Sequence, residues 1–193
     1  MRQLISIPAV LLVLSSIACT RQPAPEPEPI SPFRVTASIQ ELMDSVIDPA
    51  ADDIWDSVST TTTRRGVEEH RPRTPEDWNG VRRRVVTLVE GTNLLVMAGR
   101  HVSKAYVAPD GPGVLDSTAV QTRIDATPAA FVVLAHNLQD AGLHALQAVD
   151  AKDAQALLVA GGQIDAACEQ CHQTYWYPDQ KIPVPPQTQR RTS

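Results

Sequence analysis

Apolar residues recur every three or four positions in four separate segments of the chain, the spacing that lines one side of a helix. In residues 36–58 the stripe is Ile39, Met43, Val46, Ala50 and Ile54. Pro49 sits inside it; lacking an N–H, and with its ring crowding the carbonyl of Ser45, it predicts a kink or interruption. The second segment opens at "TPEDW", with Thr74 placed to cap, Pro75 at the first helical position and acids in the first turn. It runs through Val81, Val85, Leu88, Thr92, Leu95 and Gly99. The third opens at Thr127 and Pro128 in the same way and carries Phe131, Leu134, Leu138, Ala141, Ala145 and Ala148. The fourth begins near Asp150 to Asp153 and places Leu157, Gly161, Ile164, Cys168, Cys171 and Tyr175 on one seam.

No segment alternates with the period of a strand, so the fold expected is all-α, an antiparallel four-helix bundle. The connection over 59–73 is polar and Thr-rich, and that over 102–125, with "PDGPG", reads as an ordered loop. Gly161 and Gly162 interrupt the fourth stripe and cost about 1 kcal/mol each relative to Ala. A close-packed neighbouring helix or a flat ligand would offset that; otherwise the helix breaks there.

The ends change the picture. Residues 1–18 hold Arg2 and an apolar run too short to span a bilayer, which reads as an export signal. Ile17, Ala18 and Cys19 resemble a lipobox, so Cys19 is expected to be lipidated; an ordinary secretory signal is the alternative. Residues 19–35 are rich in Pro and Glu and suit an extended tether. The folded part is then 36–177, followed by a Pro-rich disordered tail over 178–193. These features place the protein on the periplasmic side of a bacterial membrane, the outer one if the cell is Gram-negative. Within its 193 residues, 42% hydrophobic content suffices for one core, and a formal net charge of -5 gives no footprint for nucleic acid. Arg64–Arg65 and Arg82–Arg84 read as solvated surface.

The chemistry lies in "CEQCH", residues 168–172. Cys-x-x-Cys-His is the attachment signal of c-type haem. Cysteines three apart share a helical face, so Cys168 and Cys171 can form thioethers to one porphyrin, and His172 can present an imidazole nitrogen to the iron. A structural zinc site would want a second ligand pair, and the chain has none. A thioredoxin-type pair would want a preceding strand, and the pattern there is helical. A disulfide between Cys168 and Cys171 closes a tiny loop and adds little stability.

A helical bundle whose last helix ends in Cys-x-x-Cys-His, with Tyr175 three residues on, resembles the cytochrome c′ and low-spin cytochrome c-556 superfamily over about 36–177. The resemblance implies one covalently bound haem c, held by Cys168 and Cys171, with His172 as proximal axial ligand. It also implies that a first-helix residue closes the opposite side of the haem. A Met there makes a six-coordinate electron carrier, and Met43 is the candidate for that distal ligand. The family's Arg one turn earlier is replaced by Ile39, which leaves Arg100 or one of Arg82 to Arg84 for the propionates. Met97, His136, His101 and His144 are weaker candidates for iron. A homodimer is a further family property.

The function expected is that of a monohaem cytochrome passing single electrons between redox protein partners, with no catalytic machinery of its own. The alternative is a five-coordinate haem protein binding nitric oxide or carbon monoxide, with Met43 merely packing. A haem-free lipoprotein with a Cys168–Cys171 disulfide is the remaining reading.

Overall fold

The computed structural model describes residues 33–180. The export signal, Cys19 and most of its tether, and the tail from residue 181 on lie outside the described residues.

The described chain is mostly helical, with one small two-stranded sheet. The first helix, α1, is continuous through three pieces: Ile39–Leu42, a π turn at Met43–Ile47, and Asp48–Ser57. Ser38 and Glu41 start it with a reciprocal capping box; the Glu41 N–H donates to Ser38 Oγ at 3.2 Å and the Ser38 N–H to Glu41 Oε2 at 2.8 Å. Ahead of Pro49 the α ladder is interrupted, as expected, but the helix continues. The Asp48 N–H reaches back to the Met43 carbonyl, so the chain widens for one turn just ahead of the proline, where a tight turn would meet its ring.

Strands β1, Ser59–Thr63, and β2, Gly66–His70, form an antiparallel hairpin that corrects the expectation of no strand. Four successive threonines favour extended backbone, and Gly66, at φ 131, closes the turn after Arg64 and Arg65. Almost every hairpin residue is exposed, so no buried face imposes the alternation that would have signalled it.

Helix α2, Pro75–Leu95, has the predicted start, with a capping box between Thr74 and Asp77. It stops at Leu95; Gly99, expected on its stripe, is exposed with φ 81. The loop that follows contains an unexpected helix, α3, Ser117–Ala126, whose start Asp116 caps by accepting from the Thr118 and Ala119 N–H groups. In α4, Pro128–Asp150, the whole expected stripe from Phe131 to Ala148 is buried. Thr127 precedes it but gives no side-chain cap; its hydroxyl donates to the Arg123 carbonyl at 3.0 Å instead. Helix α5, Ala154–Tyr175, is capped by Asp153 and runs unbroken through both glycines.

Side-chain contacts link the long helices pairwise. Gly91 of α2 admits Ile47 and Val46 of α1, and Gly142 of α4 admits Val89 of α2. Asn137 and His144 of α4 meet Gln170 and Gln163 of α5, an order that runs the two helices antiparallel. On the far side of α5, the Trp55 indole N–H of α1 donates to the Gly161 carbonyl at 3.0 Å. Gly161 thus permits a close helix approach, whereas Gly162 faces open space and the packing gives no reason for it.

The central core is built on Ile47, Ile54, Val85, Leu88, Leu157 and Ile164. A second, smaller cluster at one end joins Leu42, Leu95, Phe131, Leu134 and Tyr175; Met43 and its π turn touch both. No helix among the described residues is long and apolar enough to cross a membrane.

Candidate haem pocket

The end of the molecule beside the second cluster holds a cavity of about 350 Å³, within the range of small-molecule and cofactor sites. Helix α1 contributes Ile39, Met43, Asp44 and Asp48; α3 contributes Val120 and Ile124; Phe131 comes from α4. Helix α5 brings Cys171, His172 and Tyr175, and Trp176 follows at its C-cap. The loop before α3 closes one side with Val107, Asp110 and Leu115, held by the Leu115 N–H to the Trp176 carbonyl at 2.8 Å.

Three of the four residues singled out for haem therefore face one cavity: Cys171, His172 and Met43. Cys168 lies one turn earlier, half-buried against the central core and outside the cavity lining. Both cysteines are free thiols, half-buried rather than fully so. The Tyr175 ring meets Phe131 edge-on with centroids 5.6 Å apart, and its hydroxyl pairs with the Thr127 hydroxyl at 3.0 Å, which fixes the cavity floor.

Burial sets the protonation of the motif. It pushes the Cys168 thiol up to about 12, helped by the carboxylates of Asp48 and Asp165, and the Cys171 thiol up to about 11. Both are neutral at pH 7, the opposite of a reactive redox pair, which needs a lowered thiol pKa. Burial also lowers the His172 pKa, against the pull of Asp48 and Glu169, so its imidazole is held neutral with a lone pair to offer. Among the described residues no three His, Cys, Asp or Glu side chains converge as a metal site.

His172 is embedded in aromatic rings, edge-on to Trp176 at 5.2 Å and tilted against Tyr177 at 5.8 Å between centroids. The Tyr177 hydroxyl donates to Glu169 at 2.6 Å, which lowers the Glu169 pKa; burial, and after it this bond, raises that of Tyr177.

The donor set fits a covalently attached haem: two thiols on one helix, a neutral imidazole beside them, and a thioether across the same cavity. The other candidates do not converge on it. Met97 accepts from Arg100 Nη2 at 3.3 Å, and His101, His136 and His144 are exposed and outside the lining. Among the described residues no Lys or Arg lines the cavity. Arg100 is turned to the Leu94 and Ala37 carbonyls, Arg82 pairs with Asp150 at 2.9 Å, and Arg84 with Asp53 at 2.6 Å.

Sequence reasoning missed Asp44 and Asp48 and the whole wall formed by α3. The Asp116 cap followed by Val120 and Ile124 at helical spacing was the available signal for that wall.

No protein-family model matches the sequence, and neither does any curated protein. Among solved structures the chain is similar to cytochrome c prime from Alcaligenes xylosoxidans, a ferrous variant with bound NO. The two are 20% identical over 73% of this chain and 97% of that one, with a TM-score of 0.45. A likeness at that level carries no weight on function, which rests on the chain's own residues.

Proposed function

We propose that this protein is an exported monohaem cytochrome with its haem in an antiparallel four-helix bundle, anchored through a lipid on Cys19 and working as a one-electron carrier rather than an enzyme. The observation that carries the reading is the convergence of Cys171, His172 and Met43 on one cavity, with Cys168 one helical turn from it. Cys168 and Cys171 would hold the haem by thioethers, and His172 and Met43 would bind its iron through an imidazole nitrogen and a thioether sulfur. The haem supplies a ferric/ferrous couple, and a thioether ligand raises its potential. The chain's part is to keep the imidazole neutral, to exclude water with Ile39, Val120, Ile124 and Phe131, and to hold Met43 at the wall through the π turn. The pairwise helix contacts of α1, α2, α4 and α5 support the bundle.

One observation favours the second reading, a gas-binding haem protein: Met43 packs against both apolar clusters, as a core methionine would. The experiment is maturation of the full chain with a c-type assembly system. Denaturing gels stained for haem should keep the stain, because thioethers survive unfolding, and the native ferric spectrum should be low-spin. A stain-free band overturns the haem. A high-spin spectrum with ready carbon monoxide binding transfers the assignment to the gas-binding protein.

A further inference from the structure

Charge is distributed unevenly around the cavity. Between Arg34 and Arg64 the chain carries six acids, Glu41, Asp44, Asp48, Asp52, Asp53 and Asp56, and no Lys or Arg. Between Lys152 and Lys181 it carries four, Asp153, Asp165, Glu169 and Asp179, again with no Lys or Arg. These two stretches include α1 and α5, the helices that bring Met43 and His172 to the cavity. Arg71, Arg73 and Arg82 to Arg84 gather before and along the first half of α2, while Arg100 and Lys104 lie in the loop beside the cavity and Arg123 on α3.

Two of the acids are neutralised, Glu41 by Lys104 at 2.8 Å and Asp53 by Arg84 at 2.6 Å. Asp44, Asp48 and Asp110, which line the cavity, are exposed and enter no ion pair among the described residues. Asp48 and Asp165 lie close enough to act together on Cys168, so carboxylates flank the haem motif from both helices. The centre of this face is apolar: Trp176 is 40% exposed and Val107 39%, both at the cavity wall, and Tyr106, which precedes Val107 in the loop, is 67% exposed. An apolar centre with a charged rim is the anatomy of a protein interface, and Trp is the residue type most often found carrying one. Trp176 also touches His172, so a partner seated there stands one side chain from the iron's ligand.

We propose that this acid-rimmed face, centred on Trp176, docks a basic redox protein that presents lysine or arginine around its own electron-exchange site. The inference rests on the cytochrome reading above and specifies the partner's charge. A second copy of this chain is disfavoured as occupant, because two such faces would set unpaired carboxylates against each other.

The test uses the haem-loaded full chain and a lysine-rich mitochondrial cytochrome c as the probe, in native and lysine-acetylated form. One electron passes from the ferrous probe to the ferric protein, with no bond made or broken, and stopped-flow absorbance follows it. With the native probe the second-order rate should fall about tenfold between roughly 0.01 M and 0.2 M salt. The acetylated probe, and the triple variant Asp44→Asn/Asp48→Asn/Asp110→Asn, should lose most of that dependence; Glu76→Gln/Asp140→Asn, away from the cavity, should keep it. Trp176→Ala should weaken binding of the native probe about tenfold at low salt, read by chemical-shift titration. A haem-loaded protein reduced at a salt-independent rate overturns the docking face while leaving the cytochrome intact; absence of haem overturns the reading beneath it. If Lys181→Gln/Arg190→Gln/Arg191→Gln tightens the probe more than about tenfold, the chain's own basic end occupies the face and the proposal falls. Salt-insensitive dimerisation through the same face, seen by sedimentation, has the same effect.

Discussion

Gly161 and Gly162 are adjacent in one helix and differ only in what they face, so replacing each with Ala separates packing from propensity. In a helix interior Ala is favoured over Gly by about 1 kcal/mol. At Gly162 nothing lies within 4 Å of an added Cβ, and the full gain should appear. At Gly161 the same atom would stand 3.2 Å from Trp55 Cδ1 and 3.6 Å from its Nε1. The indole must retreat by a few tenths of an ångström, yet its N–H is tied to the carbonyl of that same residue at 3.0 Å. Overpacking of this kind costs about 1–3 kcal/mol, so Gly161→Ala should range from neutral to about 2 kcal/mol less stable. Urea unfolding of both variants, followed by far-UV dichroism, gives the difference directly, expected at about 1–3 kcal/mol. Adding Trp55→Leu should release the contact and let Gly161→Ala recover its propensity gain. Two variants equally stabilised by about 1 kcal/mol would refute the argument that α1 and α5 meet at Gly161.

The other expectations are shorter. Gly91→Ala puts a Cβ 2.8 Å from Ile47 Cδ1 and 3.1 Å from Val46 Cγ1, so it should destabilise by about 1–2 kcal/mol net in the same urea assay and disturb the π turn beneath Met43. Met43→Ala in the haem-loaded protein should abolish the sulfur-to-iron charge-transfer band of the ferric spectrum, open the ferrous form to carbon monoxide and lower the potential; an unchanged spectrum would clear Met43 as ligand. Glu41, held at about 2 by Lys104 and by the Ser38 backbone and hydroxyl, favours folding above its ordinary pKa of 4.5. Its folded pKa is depressed, so that contribution is present at neutral pH and disappears as pH falls from 4.5 towards 2. Glu41→Gln should therefore lower the urea midpoint at pH 7 and converge on wild type in acid.

The long helices were legible because each buries one stripe. In α4 all six stripe residues are buried, and its limits follow from Pro128 and the end of the pattern. The Cys168, Cys171 and His172 motif was visible for a different reason: its spacing is that of a haem attachment signal and needs no fold to be noticed. What escaped detection lacked a buried face. The hairpin is exposed on both sides, and α3 has no fully buried residue, so neither leaves a period in the sequence. The carboxylates at the cavity were individually visible, but a charge count over the whole chain cannot show that Asp44, Asp48 and Asp110 line one cavity. That depends on the loop before α3 folding back to Trp176, a contact made by backbone groups.

The stripe of α1 shows how one proline reaches the site. A strict helical period gives Ile39, Met43, Val46, Ala50 and Ile54 as the inward positions. The buried apolar residues are instead Leu42, Ile47, Ala50, Ala51 and Ile54, and Leu42 and Ile47 stand five apart, the step of the π turn. One extra residue in that turn rotates the helix before it by roughly 100° against the helix after it. Downstream, the stripe faces the central core; upstream, it faces the end cluster and the cavity. Met43 stands at the join, half-buried, packed against both clusters and at the cavity wall. Gly91 is the counterpart on α2, since only a residue without a side chain leaves room for the shifted Ile47. Pro49, the π turn, Ile47 and Gly91 thus act as one unit, and its product is the position of the Met43 thioether at the cavity that His172 also lines.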